Sequence, residues 1–311
     1  MRMYTVSQWM MFFYIYCFLG WIWECCYVSV NEKKLVNRGF LKGPFLPIYG
    51  SGALCMLIVT IPVRDNLVLM FLAGMIAPTL LEYVTGAVME RLFRVRYWDY
   101  SDKFMNVNGY ICLGSTVCWG VMTVILVKFG HQYVEKFVFA IDEAYTIMLV
   151  LVITPVLLID FITSFHAAIH LRDILVQNER LREELHKLSE KLHELEQLVQ
   201  DTGEKAKEQV AFVKEQALLA KEQVGLVKEQ ALSAKDQATR EMQELMGKMG
   251  ELKNRLANTY GKSVRGLLKR NPGAVSRWHK ESFSELKQSL MEKISRKDEP
   301  DPADVKDGEN V

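Results

Sequence analysis

Apolar residues fall in long runs through the first half of the chain and at regular steps of three and four through much of the second. A membrane-spanning helix needs about 20 mostly apolar residues, and five runs approach that length: roughly 7–30, 46–63, 67–88, 109–127 and 144–165. The second is the weakest, because it is short, carries Gly50 and Gly52, and ends at Pro62; a re-entrant segment is its alternative reading. Beyond residue 165 the pattern changes. Leu171, Ile174, Leu181, Leu185, Leu188, Leu192, Leu195 and Val199 follow one another at helical spacing, with Asn178 on the same seam. That is the a/d pattern of a coiled coil. No Gly or Pro interrupts Asp160–Phe165 or the stretch after it, so one helix is predicted to run out of the membrane.

An internal repeat continues the seam. "KEQVAFVKEQALLA" (207–220) returns as "KEQVGLVKEQALSA" (221–234), two heptads per copy. Its valine and alanine layers bury less area than the leucine layers before them and predict a weaker zone. Four-residue shifts near Ala206 and Met242 predict local unwinding, after which Met242, Leu245, Met249, Leu252 and Leu256 resume the pattern. "RNPG" (270–273) ends it. A short amphipathic helix with Trp278, Phe283, Leu286, Leu290 and Ile294 follows, then an acidic tail from Asp298 with the composition of disorder. The expected fold is an all-α membrane protein: a five-helix transmembrane bundle (1–165), a long cytoplasmic coiled coil (166–256), a basic linker with the short helix (257–297), and the tail (298–311). Asn178 in the seam favours a parallel dimer, since a buried Asn pairs best with its twin; a helix folding back on itself is the alternative.

Charge sets the orientation. The whole chain is balanced, with Lys+Arg 38 against Asp+Glu 37, which gives no reason to expect nucleic acid as a partner. Locally, Lys33, Lys34, Arg38 and Lys42 follow the first span, and Arg91, Arg94, Arg96 and Lys103 follow the third. Basic loops stay in the cytoplasm, so the N-terminus is expected outside and the C-terminal half inside, at the plasma membrane. The first run is too long for a signal peptide and reads as a retained anchor. The six cysteines lie in or beside apolar runs without a C-x-x-C pair, as buried thiols rather than a disulfide framework.

Three acids, Glu24, Glu82 and Asp160, fall inside predicted spans. Ionisable groups are costly there and mark candidate sites. Each is about 8–9 Å from the cytoplasmic end of its helix at 1.5 Å per residue, so the three are expected to form one acidic layer with Arg38 and Arg96 within reach. The loop "RVRYWDYSDKFMNVNG" (94–109) sits beside that layer. Its aromatic rings suit the headgroup region; Asp99, Asp102 and Asn106, with Trp98, add polar candidates for ligand binding. Ion pairs that only fix helix packing are the alternative role for all of these groups.

The same residues carry a resemblance. "FLGWIWE" (18–24), "NRGFLKGPFLPIYG" (37–50), "LEY" (81–83), "RYWDYSD" (96–102) and "ICL" (111–113), with Asn106 and Gly109, resemble the ABC-transporter type IV permease family over about residues 10–165. The resemblance implies a bacterial multi-pass membrane protein, and its name implies transport. It places Glu24, Arg38, Glu82, Trp98, Asp99, Asp102 and Asn106 in signature segments without giving them roles. Other motifs do not develop. "GKS" (261–263) lacks the glycine a phosphate loop needs at Leu256, and His166 and His170 lack the glutamate of a zinc protease, where Ala167 stands. No cofactor, metal site or built-in ATPase is expected. The sequence favours a permease-like subunit binding or moving a small solute or ion, with a separate ATPase or scaffold protein as a possible partner. A membrane-anchored scaffold self-associating through Leu181, Leu185, Leu188, Leu192 and Leu195 is the first alternative. An intramembrane enzyme acting on lipid headgroups, for which no nucleophile stands out, is the second.

Overall fold

The computed structural model describes residues 4–215 and 262–288, with short helical stretches between 228 and 251. Most of the repeat array, the seam from Leu252 to Leu256, Leu290, Ile294 and the acidic tail lie outside the described residues. The described residues are almost wholly helical, and the chain divides into two compact units: Met1–Leu175 with Gly261–Val311, and Val176–Tyr260.

The first unit is the apolar bundle. Helix α1 (Val6–Glu32) starts at a capping box in which Thr5 and Gln8 satisfy each other's backbone N–H. Helix α2 (Pro47–Thr60) begins with a proline where no N–H is required and is extended by a tight turn, Ile61–Val63. Helix α3 (Leu67–Phe93) is capped by the Asn66 side chain, which accepts from the N–H groups of Val68 and Leu69. Helices α4 (Leu113–Ile125) and α5 (His131–Phe139) are joined by a wide helical turn, Leu126–Gly130. Helix α6 (Glu143–Glu215) continues through the end of the unit. Among the described residues four helical stretches are long and apolar enough to cross a membrane, and Pro47–Val63 is shorter. The fourth run therefore extends to Phe139, beyond the 127 expected. Lys128, Gln132, Glu135 and Lys136 hide this from a hydropathy reading, but His131 is buried with its ring nitrogens on Tyr16 (2.8 Å) and Tyr4 (3.3 Å), and Tyr4 donates to Glu135 (2.9 Å).

The core gathers Met11, Phe12, Tyr14 and Tyr16 of α1 with Ala53 and Leu57 of α2 and Val138 of α5. Glycine has a packing role here. A Cβ on Gly50 would lie 2.4 Å from Cys17 Sγ and 2.7 Å from the Phe13 carbonyl, so Gly50 lets α1 and α2 approach backbone to backbone, as small residues do between membrane helices. Helix α6 joins through Tyr14–Thr154 (2.6 Å) and the Phe93–Phe165 and Phe40–Phe161 ring contacts.

The C-terminal residues 262–288 belong to this same unit. Helix α7 (Lys262–Arg270) buries Val264, Leu267 and Leu268. "RNPG" then turns the chain, and a further helical segment begins at 280 with Phe283 and Leu286 buried. Between them, Val275 pairs antiparallel with Arg96 through two backbone bonds of 2.8 and 3.0 Å. Residues expected to form a linker thus return to the loops of the bundle.

The second unit holds the later part of α6. Leu181 is buried, Leu185, Leu188, Leu192 and Leu195 are half-buried, and the positions between them are mostly exposed, so the seam is real as a helix face. Asn178 is buried with its side-chain oxygen unpartnered. Leu195, Val199, Thr202 and Val210 line one groove with Lys228, Leu232, Ala238 and Glu241.

Candidate functional site

The loop after α1 (33–46) and the loop after α3 (94–112) meet at one end of the bundle, and each begins with a residue in the left-handed conformation, Lys33 (φ 53°) and Arg94 (φ 59°). The second loop is wrapped around Arg96. Its guanidinium is buried, with Nε 2.6 Å from Glu90 and Nη1 3.2 Å from Asp99, and it lies over the Tyr110 ring at 4.5 Å. Tyr110 donates to the same Glu90 carboxylate at 2.5 Å. Asp99 also accepts from the Ser101 N–H (3.0 Å) and hydroxyl (2.5 Å). Partial burial pushes the Asp99 carboxyl up, but the Ser101 bonds and the charge of Arg96 outweigh this and hold it below the usual carboxylate range. Asn106 donates to the carbonyls of Ser101 and Lys103 and accepts from Gly109 N–H. Gly109 has φ 72°, and a Cβ there would meet Arg96 and Ser101 within 2.5 Å, so the residue is confined to glycine. Trp98 donates to the Tyr110 carbonyl (2.9 Å). Asp102 is exposed.

The three intramembrane acids do not share one set of partners. Asp160 is held by the first loop, accepting from the backbone N–H groups of Lys42 (3.1 Å) and Gly43 (2.7 Å). Glu24 accepts from Tyr49 (2.6 Å) and lies 3.9 Å from Arg38 Nε. Glu82, 6 % exposed, accepts from Trp119 Nε1 (2.9 Å) and Tyr100 (3.3 Å). Glu24 and Glu82 are linked through their donors: the Tyr49 ring, whose hydroxyl serves Glu24, and the Trp119 ring, whose N–H serves Glu82, stand 6.1 Å apart. The acidic layer thus resolves into a Glu24–Glu82 pair lined by Tyr49, Tyr100 and Trp119, with Asp160 serving a loop.

The arginines divide differently from expectation. Arg38 turns to Glu24 alone of the three acids; its other nitrogens donate to the Tyr97 carbonyl (2.9 Å) and to Asn271 Oδ1 (2.8 Å). Burial pulls the Arg38 guanidinium below its ordinary value, while Glu24 pushes it back up. Arg96 takes Glu90, an acid that sequence reasoning left outside the third span. Tyr49, Tyr100, Trp119 and Asn271 were also missed as members of the cluster. A hydroxyl or indole N–H inside an aromatic-rich run has no pattern that separates a carboxylate's partner from a ring packed for its area.

A bundle of long apolar helices with buried charge at one end defines a polytopic α-helical membrane protein. Residues 11–165 match the family described as "Putative ABC-transporter type IV", and the chain belongs to that family through this membrane domain. No curated protein and no solved structure matches the chain.

Proposed function

We propose that the protein is the membrane subunit of an ABC-transporter-type system, and that the Glu24–Glu82 pair binds a small cationic solute or ion. The observation that carries this reading is Glu82. It is a buried carboxylate whose donors, Trp119 and Tyr100, are both neutral, and the Trp119 ring meets the Tyr49 ring that serves a second carboxylate, Glu24. A buried carboxylate without a countercharge is costly, and a positively charged ligand would supply what the protein does not. Arg38 serves Glu24 at 3.9 Å and is already bonded elsewhere. The ring faces of Tyr49 and Trp119 suit an organic cation. Basic residues in both loops favour a cytoplasmic position for this end of the bundle, and a separate ATPase would provide the energy.

Binding is tested by thermal melting and equilibrium dialysis of the purified protein against inorganic cations and primary and quaternary amines. A cation that stabilises the parent and no longer does so in Glu82→Gln and Glu24→Gln supports the site. The absence of any such cation, or equal stabilisation of the glutamine variants, overturns it. Self-association is a second reading, supported by Leu198, Phe212 and Leu232, each about 60 % exposed in the second unit. Crosslinking of the full chain in membranes checks it: a dimer lost on Leu185→Asp with Leu192→Asp is the expected outcome.

A further inference from the structure

Arg38 connects two things that the sequence keeps far apart. Through Nε it faces the Glu24 carboxylate, and through Nη1 it donates to Asn271 of the returning C-terminal segment. Its contact with Glu24, at 3.9 Å, is much longer than the ~2.7–2.9 Å of a charge-assisted hydrogen bond. The guanidinium is held short of the acid by Asn271 and the Tyr97 carbonyl. Asn271 is 2 % exposed and is fixed in turn, its amide donating to the carbonyls of Gly39 (3.0 Å) and Leu267 (2.9 Å).

The segment after Asn271 lies across the loop surface. Beyond the Arg96–Val275 pairing, Ser276 donates to the Arg94 carbonyl (2.6 Å), Arg94 lies over the Trp278 ring (4.1 Å), and Arg277 donates to Ser101 (2.7 Å). These are contacts of polar groups and main chain; the large apolar anchors, Leu267 and Leu286, flank the crossing on either side. The fit is also incomplete. Tyr97 Oη, Arg265 Nε and Arg270 Nε are buried without hydrogen-bond partners, and each disfavours the docked arrangement. The crossing lies outside the span shared with the family, residues 11–165.

We propose that residues 271–278 form a lid on the loop surface whose docking competes with the pairing of Arg38 and Glu24. Docked, the lid keeps Arg38 away from Glu24, and the Glu24–Glu82 pair stays negative. Lifted, it frees Arg38 to close on Glu24 and neutralise it. The lid would thereby set the charge offered to a cation, which rests on the cation-site reading above; the competition itself needs no solute and is tested without one.

The reporter is Ala274→Cys, a small change at a lid residue that is 1 % exposed when the lid is docked. Maleimide labelling of the full-length protein in detergent is followed by mass spectrometry of the tryptic peptide 271–277. In the reporter background, Asn271→Ala should speed labelling about tenfold, the effect of losing a hydrogen bond to a charged group. Glu24→Gln removes the competing partner and should slow labelling about threefold, since coupling between two sites acts in both directions. That slowing should vanish when Asn271→Ala is also present. Arg38→Gln should abolish it equally, which keeps the test decisive if Asn271→Ala does not fold. Labelling of Ala274→Cys as fast as that of a cysteine replacing exposed Trp278 would overturn the lid. A Glu24→Gln effect that is absent, or that persists without Arg38, would overturn the competition. Neither result depends on whether a cation binds.

Discussion

At the scale of single residues, two buried carboxylates on α3 face opposite circumstances. Glu90 has a full countercharge in Arg96, and both side chains are nearly inaccessible, at 6 % and 2 %. Removing either partner strands a buried charge, which costs about 3–5 kcal/mol. Arg96→Gln and Glu90→Gln are therefore expected to lower folded yield and melting temperature sharply. Arg96→Lys should not rescue, because an ammonium cannot serve Glu90 and Asp99 while lying over Tyr110. Glu82 has only neutral donors, so Glu82→Gln keeps an acceptor for Trp119 and should melt near the parent. Glu82→Leu leaves the Trp119 and Tyr100 donors unpaired and should cost about 1–3 kcal/mol in a denaturation experiment. Exposed Asp102 is the control: Asp102→Asn should stay within about 0.5 kcal/mol of the parent. The Asp99 carboxyl is depressed in the folded loop, so its contribution is present above the ordinary Asp value of about 3.9. That contribution is lost as pH falls through the lower folded value.

At the scale of elements, close approach of helices separates glycines that look alike in sequence. Gly50 and Gly52 suggested a weak or re-entrant second span, yet Gly50 sits where α1 and α2 touch. Gly50→Ala should cost about 1–3 kcal/mol through overpacking against Cys17 and Phe13. Gly203, within α6, has nothing within 4 Å of its would-be Cβ; Gly203→Ala should instead stabilise by about 0.5–1 kcal/mol. Circular dichroism melts of both variants decide these signs. The same contrast shows what sequence could reveal. The all-helical character of the chain and the uninterrupted run of α6 past its apolar part were legible, because run length and periodicity are local. The end of the fourth span was not, because His131 and Glu135 look polar until Tyr16 and Tyr4 satisfy them. Asp160 was legible as an oddity but not as a loop clasp, since its partners are backbone N–H groups of Lys42 and Gly43. "RNPG" was read correctly as a helix breaker, while the docking of Asn271 on Arg38 and of Val275 on Arg96 joins residues more than 170 positions apart in the chain.

At the scale of the whole molecule, the loops after α1 and α3 share one end of the bundle, and Asp65 lies at the start of α3, at the other. Cysteines placed at Ser101 and Asp65, with Cys26 and Cys118 replaced by serine, should react with an impermeant thiol reagent from opposite sides of a sealed vesicle. Labelling of both from one side would contradict a membrane-crossing α3. The second compact unit, Val176–Tyr260, is connected at both ends to the first. The C-terminal segment is therefore a tethered ligand for the loops, present at an effective concentration set by its tether rather than by the amount of protein, typically in the millimolar range for short flexible links. One cut in that tether turns an intramolecular equilibrium into a bimolecular one. A protease site introduced at exposed Gly247 should leave the cleaved protein intact at high concentration, and dilution should then strip residues 262–288 from the bundle. What holds the segment in place would depend, after a single hydrolysed bond, on how crowded the membrane is with its own fragments.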